Sequence, residues 1–138
     1  MCVSMCKRNA DVGLLLIRLG LAAVFIGHGL QKLGDLGMVS GFFSQLGLPG
    51  FLAYLVAAVE LAAGLSMLLG FWTHWAGKLI AVIMLGAIVL VKFKTGFLGG
   101  YEFDLMLLLA ALGITFAGPG AYSLEAKRAQ TAPPPKAS

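Results

Sequence analysis

The sequence predicts an all-α membrane protein, an antiparallel bundle of four transmembrane helices with a short interfacial or re-entrant segment between the first and second. Two observations carry this. Of the 138 residues, 59% are hydrophobic and only 12% are charged, against roughly 45–50% and 25% in soluble domains. A chain this small cannot hide so much apolar surface inside itself, so most of that surface meets lipid. Glycine, proline and charge also divide the chain into four apolar segments of near-spanning length, about 20 residues for a helix across the hydrocarbon core.

The first segment runs from about Gly13 to Leu33, with an apolar stretch too long for a cleavable signal. The second follows Leu48-Pro49-Gly50 and ends near Gly70. The third, Ala76 to Val91, is short, and Lys78 and Lys92 are expected to snorkel to opposite surfaces and complete it. The fourth runs from Tyr101 to Ala117. In the first loop, Phe42, Phe43 and Leu46 lie among small polar residues, as expected of a piece lying in the interface.

Lys7, Arg8, Lys78, Lys127, Arg128 and Lys136 fall on the side of the termini, and Lys32, Lys92 and Lys94 on the other. This bias places both termini in the cytoplasm. The net charge of +4 is dispersed over segment ends and loops, without the stripe that nucleic-acid binding requires. The organisation expected is an N-terminal cytoplasmic segment at 1–12, a membrane domain at 13–125 and a disordered cytoplasmic tail at 126–138. The thiols are Cys2 and Cys6, with no CxxC spacing and no metal-ligand cluster.

The stretch RLGLAAVFIGHGLQK places Arg18, His28 and Lys32 in the first span. A charge near the bilayer centre costs about 2.5–3.5 kcal/mol even on insertion scales. At about 100° per residue the three share an arc of about 100°, so they are expected to face the bundle interior. Glu60 lies mid-way along the second span, with Ala53, Ala57 and Gly64 on its face to allow close helix approach. Glu102 opens the fourth span, with Leu109 and Gly113 on its face. A rise of about 1.5 Å per residue sets Glu60 between His28 and Arg18 in depth, and Glu102 level with Lys32. The expected pairs are therefore Arg18–Glu60, with His28 beside them, and Lys32–Glu102, with Asp104 pointing elsewhere as an interfacial group. Together Arg18, His28, Lys32, Glu60 and Glu102 form the candidate ligand-binding or buried polar cluster. The same cluster is equally expected of a bundle that uses ion pairs only to fix helix register.

The four-span pattern, Arg18, Gly27-His28-Gly29 with Lys32, Leu48-Pro49, Glu60 with Gly64, Glu102 and the ending Gly118-Pro119-Gly120-Ala121-Tyr122-Ser123-Leu124-Glu125 together resemble DoxX-like proteins over about residues 13 to 125. The family often has Asp where this chain has Glu125. The resemblance implies a multi-pass bacterial inner-membrane protein, a subunit or accessory of a redox or oxidative-stress complex, with a soluble or membrane oxidoreductase subunit as partner. Arg18, His28 and Glu60 would then bind a quinone, and no covalently bound cofactor is expected. The alternatives are a non-catalytic anchor or assembly partner and, less favoured, a small-molecule transporter, with homo-oligomers compatible with each. His28 and His74 fall near opposite faces, which excludes a haem held between them.

Overall fold

The computed structural model describes residues 2–131, with side chains from Asn9 onward. The expectations for Cys2 and Cys6 as side chains, and for the tail beyond Thr131, lie outside the described residues. Helix α1 (Cys2–Gly34) is followed by α2 (Leu36–Gln45), α3 (Leu52–Leu69), α4 (Thr73–Ala87), α5 (Glu102–Ala117) and α6 (Leu124–Thr131). Four stretches are long and apolar enough to cross a membrane: Asn9–Gly34, Leu52–Leu69, Thr73–Thr95 and Phe97–Ala117. No strand occurs among the described residues. The expected four-span architecture is present, and the interfacial piece of the first loop is the helix α2.

Helix α2 starts where the Asp35 carboxylate accepts the Met38 N–H at 3.1 Å, an N-cap that satisfies one of the free amides of the first turn. None of its residues is fully buried, consistent with a helix lying across one end of the bundle. Helix α3 stops at Gly70, which takes the left-handed conformation (φ 66°) that glycine adopts without a Cβ clash. The third span exceeds the expected Ala76–Val91: α4 begins at Thr73, and a π-helical turn at Ile88–Lys92 and a 3₁₀ turn at Phe93–Thr95 extend it. The chain from Leu124 to Thr131 is helical, where the sequence suggested a tail from residue 126.

Two helix pairs build the bundle, α1 against α3 and α4 against α5, joined mainly by α3 against α4. Each pair closes on a glycine. A Cβ added at Gly64 would stand 2.8 Å from the Ile26 backbone nitrogen, and one at Gly77 would stand 2.2 Å from Thr115 Oγ1 and 2.8 Å from the Ala111 carbonyl oxygen. Small residues at such crossings bring backbones into van der Waals range, which drives association where lipid offers no hydrophobic gradient. Leu21, Phe25, Met67, Ile80, Leu107 and Ile114 fill the interior between the pairs. Large apolar side chains elsewhere, such as Leu16, Tyr54, Val82 and Phe116, are exposed on the outer surface, as lipid contact requires.

Candidate functional site: an apolar cavity with two ion pairs

A cavity of about 470 Å³ lies at the end of the bundle away from the termini. Its walls come from the last turns of α1, from α2, from the first half of α3, from the second half of α4 with its π turn, and from the start of α5. The lining is apolar (Phe42, Phe43, Leu52, Val56, Leu90 and Leu107 among others) except for His28, Lys32, Glu60, Lys92 and Asp104. That volume falls in the ~300–1,000 Å³ range of small-molecule sites, and so does the pattern of an apolar chamber with a few polar groups.

Two ion pairs lie in the wall. Lys32 Nζ donates to Glu60 Oε2 at 2.5 Å, linking the end of α1 to the middle of α3. Glu60 is buried on a face shared with Ala53 and Ala57, both fully buried, so the carboxylate reaches α1 across small side chains. Lys92 Nζ stands 2.7 Å from Asp104 Oδ2, linking the π turn after α4 to the first turn of α5. This contact is an ion pair without the alignment of a hydrogen bond, and Asp104 Oδ2 has no aligned donor. The π turn shifts the helix phase after Ala87 and brings Lys92 beside Asp104, a local irregularity of the kind often met at functional sites.

Of the five residues singled out in the sequence, three line the cavity: His28, Lys32 and Glu60. Arg18 does not, and the expected Arg18–Glu60 pair does not form. Arg18 is buried at the opposite end of the bundle, where Nη1 donates to the Pro119 carbonyl at 3.0 Å and Nη2 to the Tyr122 carbonyl at 2.8 Å. Glu60 lies nearer the far end than the depth estimate allowed, and Lys32 is long enough to claim it. Glu102 is also outside the site and does not pair with Lys32. Its carboxylate accepts the Gly99 N–H at 3.0 Å, a local bond that closes the turn before α5. The inward face of α5 carries Asp104, Leu107, Ala111 and Ile114, whereas Leu109 and Gly113, which share Glu102's face, are exposed.

Sequence reasoning therefore missed Lys92 and Asp104. The signal for Asp104 was present: Asp104, Leu107, Ala111 and Ile114 follow the spacing of a buried helical stripe. Lys92 had no such signal, because the π turn that redirects it breaks the regular period. It was expected to snorkel to the surface, and its side chain keeps 39% exposure while its ammonium meets Asp104.

At the other end Arg18 belongs to a clasp that holds the chain after α5. The Asp11 carboxylate accepts the Ala121 N–H at 2.9 Å, and the Glu125 N–H donates to the Gly70 carbonyl at 3.0 Å. The Glu125 carboxylate accepts from the Thr73 N–H at 2.7 Å and so caps α4 from a distant segment. This cap holds the turn in which Trp72 adopts a left-handed φ of 52°, unusual for a residue with a Cβ. His74 lies at this end, its Nδ1 3.1 Å from the Thr115 carbonyl oxygen, far along the bundle from His28. Among the described residues no group of three or more His, Cys, Asp or Glu side chains is placed to hold a metal ion.

Comparison with known proteins agrees with this architecture. The DoxX family profile matches residues 13–93. The chain is 36% identical over 119 residues to CatD of Bacillus subtilis, provisionally named an oxidoreductase, covering 86% of this chain and 89% of that one. It is 35% identical to an uncharacterized membrane protein of Mycobacterium tuberculosis, covering 84% of this chain and 81% of the relative. It is 30% identical to the inner membrane protein YqjF of Escherichia coli, covering 86% and 94% respectively. No solved structure matches. With its four spans and a profile match over more than half its length, the chain is a membrane protein of the DoxX family.

Proposed function

We propose that this protein is the membrane-embedded, ligand-binding subunit or accessory of a bacterial redox complex, and that its far-end cavity takes a quinone-class molecule. The observation that carries the reading is the cavity itself: a chamber of about 470 Å³, apolar except for His28 and two lysine–carboxylate pairs. A flat, lipid-soluble ring with polar oxygens matches that division between apolar wall and polar end. Ionisable groups within a membrane span usually line a ligand or ion path. The provisional oxidoreductase name of CatD favours redox work, and the name of YqjF favours the inner membrane. The excess of Lys and Arg on the terminal side favours cytoplasmic termini. In this reading electrons come from a separate oxidoreductase subunit.

Native mass spectrometry of the protein extracted with its own lipids, with released small molecules identified in parallel, tests the proposal. A stoichiometric quinone that is lost in Glu60→Gln supports it. A second reading, a non-catalytic anchor or assembly partner, is favoured by the clasp and by exposed Trp72, Trp75 and Tyr122 around it, which offer an aromatic surface. A co-purifying soluble protein with no bound small molecule would select that role.

A further inference from the structure

Among the described residues, every hydrogen bond that ties the α1–α3 pair to the α4–α5 pair lies at the terminal end. There Arg18 donates to the carbonyls of Pro119 and Tyr122, Asp11 accepts the Ala121 N–H, and the Glu125 N–H reaches the Gly70 carbonyl. At the far end each ion pair stays within one helix pair. Lys32–Glu60 joins α1 to α3, and Lys92–Asp104 joins the π turn after α4 to α5. No described ion pair crosses from one helix pair to the other there, and α2 packs on α3 and α1. All four charged residues nevertheless line the same cavity.

Resting on the quinone reading above, we infer that the ligand carries two oxygen functions, one held at each ion pair, and that its binding ties the two helix pairs together at the far end. Each ion pair offers both kinds of partner. An ammonium has three donors and a carboxylate about four acceptor sites, more than one contact within each pair uses. Asp104 Oδ2 has no aligned donor at all. A carbonyl oxygen can therefore be met by the lysine and a hydroxyl proton by the carboxylate, so the two-headed ring is held as dione or as diol. A ring with a single oxygen engages one ion pair and leaves the helix pairs unlinked.

The link matters because little else closes that end. Leu21, Phe25, Met67, Ile80 and Ile114 pack between the helix pairs, whereas a chamber of about 470 Å³ separates them at the far end. Side chains beside such a space lack partner atoms on one side. A flat ring supplies those contacts to both walls, and its two oxygens add a charge-assisted hydrogen bond to each. A ligand shifts a conformational equilibrium only by contacts that differ between the two states, and these are contacts of that kind. In the bound protein the start of α3 and the end of α4 stand closer and vary less in separation.

The test uses the full chain in lipid nanodiscs, with a short-tailed 1,4-benzoquinone and a cyclohexenone that bears the same tail and one oxygen. The benzoquinone should bind about tenfold or more tighter, the worth of one hydrogen bond to a charged group. Lys92→Met/Asp104→Ala removes one ion pair without leaving an orphan charge, and it should abolish that preference while still binding the cyclohexenone. Spin labels at Tyr54→Cys and Val89→Cys, exposed sites on the two helix pairs, report the separation once Cys2 and Cys6 are changed to Ser. Benzoquinone should shorten and narrow their distance distribution, and the cyclohexenone should not. Equal binding of the two rings, a preference that persists in the double variant, or a distance unchanged at saturation would overturn the inference and leave the quinone reading standing. Failure of both rings to bind would overturn the quinone reading and the inference with it.

Discussion

Removing the Glu60 charge should cost less than removing its partner. In Glu60→Gln the group left behind is Lys32, whose side chain keeps 22% exposure; in Lys32→Met it is Glu60, 3% exposed. Breaking a buried pair from one side costs about 3–5 kcal/mol, because the survivor is an uncompensated charge. The partly open ammonium places Glu60→Gln at about 3 kcal/mol, and the enclosed carboxylate places Lys32→Met at about 5 kcal/mol. The double variant leaves no orphan charge, and replacing both partners of a buried pair is commonly neutral or stabilising by about 1–4 kcal/mol. The cycle should therefore show a coupling of several kcal/mol, well above the ~0.5 kcal/mol scatter of independent sites. Reversible unfolding in mixed micelles by a denaturing detergent, checked for coincident transitions, measures all four proteins. Additive single effects, or a Glu60→Gln loss larger than that of Lys32→Met, would refute the reasoning.

The other ion-pair assignment is checked on α5: Asp104→Asn should lower thermal stability clearly, while Glu102→Gln, whose carboxylate holds only the Gly99 amide, should stay within about 1 kcal/mol. Arg18→Lys should not rescue Arg18→Met, since one ammonium cannot reproduce the guanidinium fork to the carbonyls of Pro119 and Tyr122. Hydrogen exchange at residues 118–125 should rise in both variants. Gly64→Ala and Gly77→Ala should each cost about 1–3 kcal/mol by forcing the helix crossings apart. Gly20→Ala and Gly27→Ala, with open space at the added methyl, should be neutral or stabilising by up to ~1 kcal/mol in the same melts. Glu125→Ala should lose the remote cap on α4 at a cost of about 1 kcal/mol, seen as faster exchange at Thr73.

The spans were legible because lipid exposure writes itself into composition, and because Gly70 and the Leu48-Pro49-Gly50 turn punctuate the chain. The inward stripe of α1 was legible from helix period. Which acid meets which base was not, because pairing depends on helix heights and on side-chain reach. Arg18 illustrates this: its stripe was right, but its partners are backbone carbonyls contributed by a segment more than a hundred residues away. The Lys92–Asp104 pair was hidden by the π turn, since a regular 3.6-residue period cannot be carried through it. On α5 the choice between Glu102 and Asp104 could have been made from the buried spacing of Leu107, Ala111 and Ile114.

The central claim, that the far-end cavity holds a lipid-soluble ligand, is tested most directly by filling it. Gly86 lines the chamber, and a Cβ there would meet no heavy atom within 4 Å, so Gly86→Leu is expected to narrow the open volume, with the melting curve checking that helix packing is kept. Binding of a short-tailed benzoquinone to wild-type protein and to Gly86→Leu in nanodiscs, with matched melting curves, gives the answer. Saturable one-to-one binding to the wild type, lost in a Gly86→Leu protein that melts like it, is the predicted result. Unchanged binding in a folded Gly86→Leu protein, or no saturable binding to the wild type, would contradict the account.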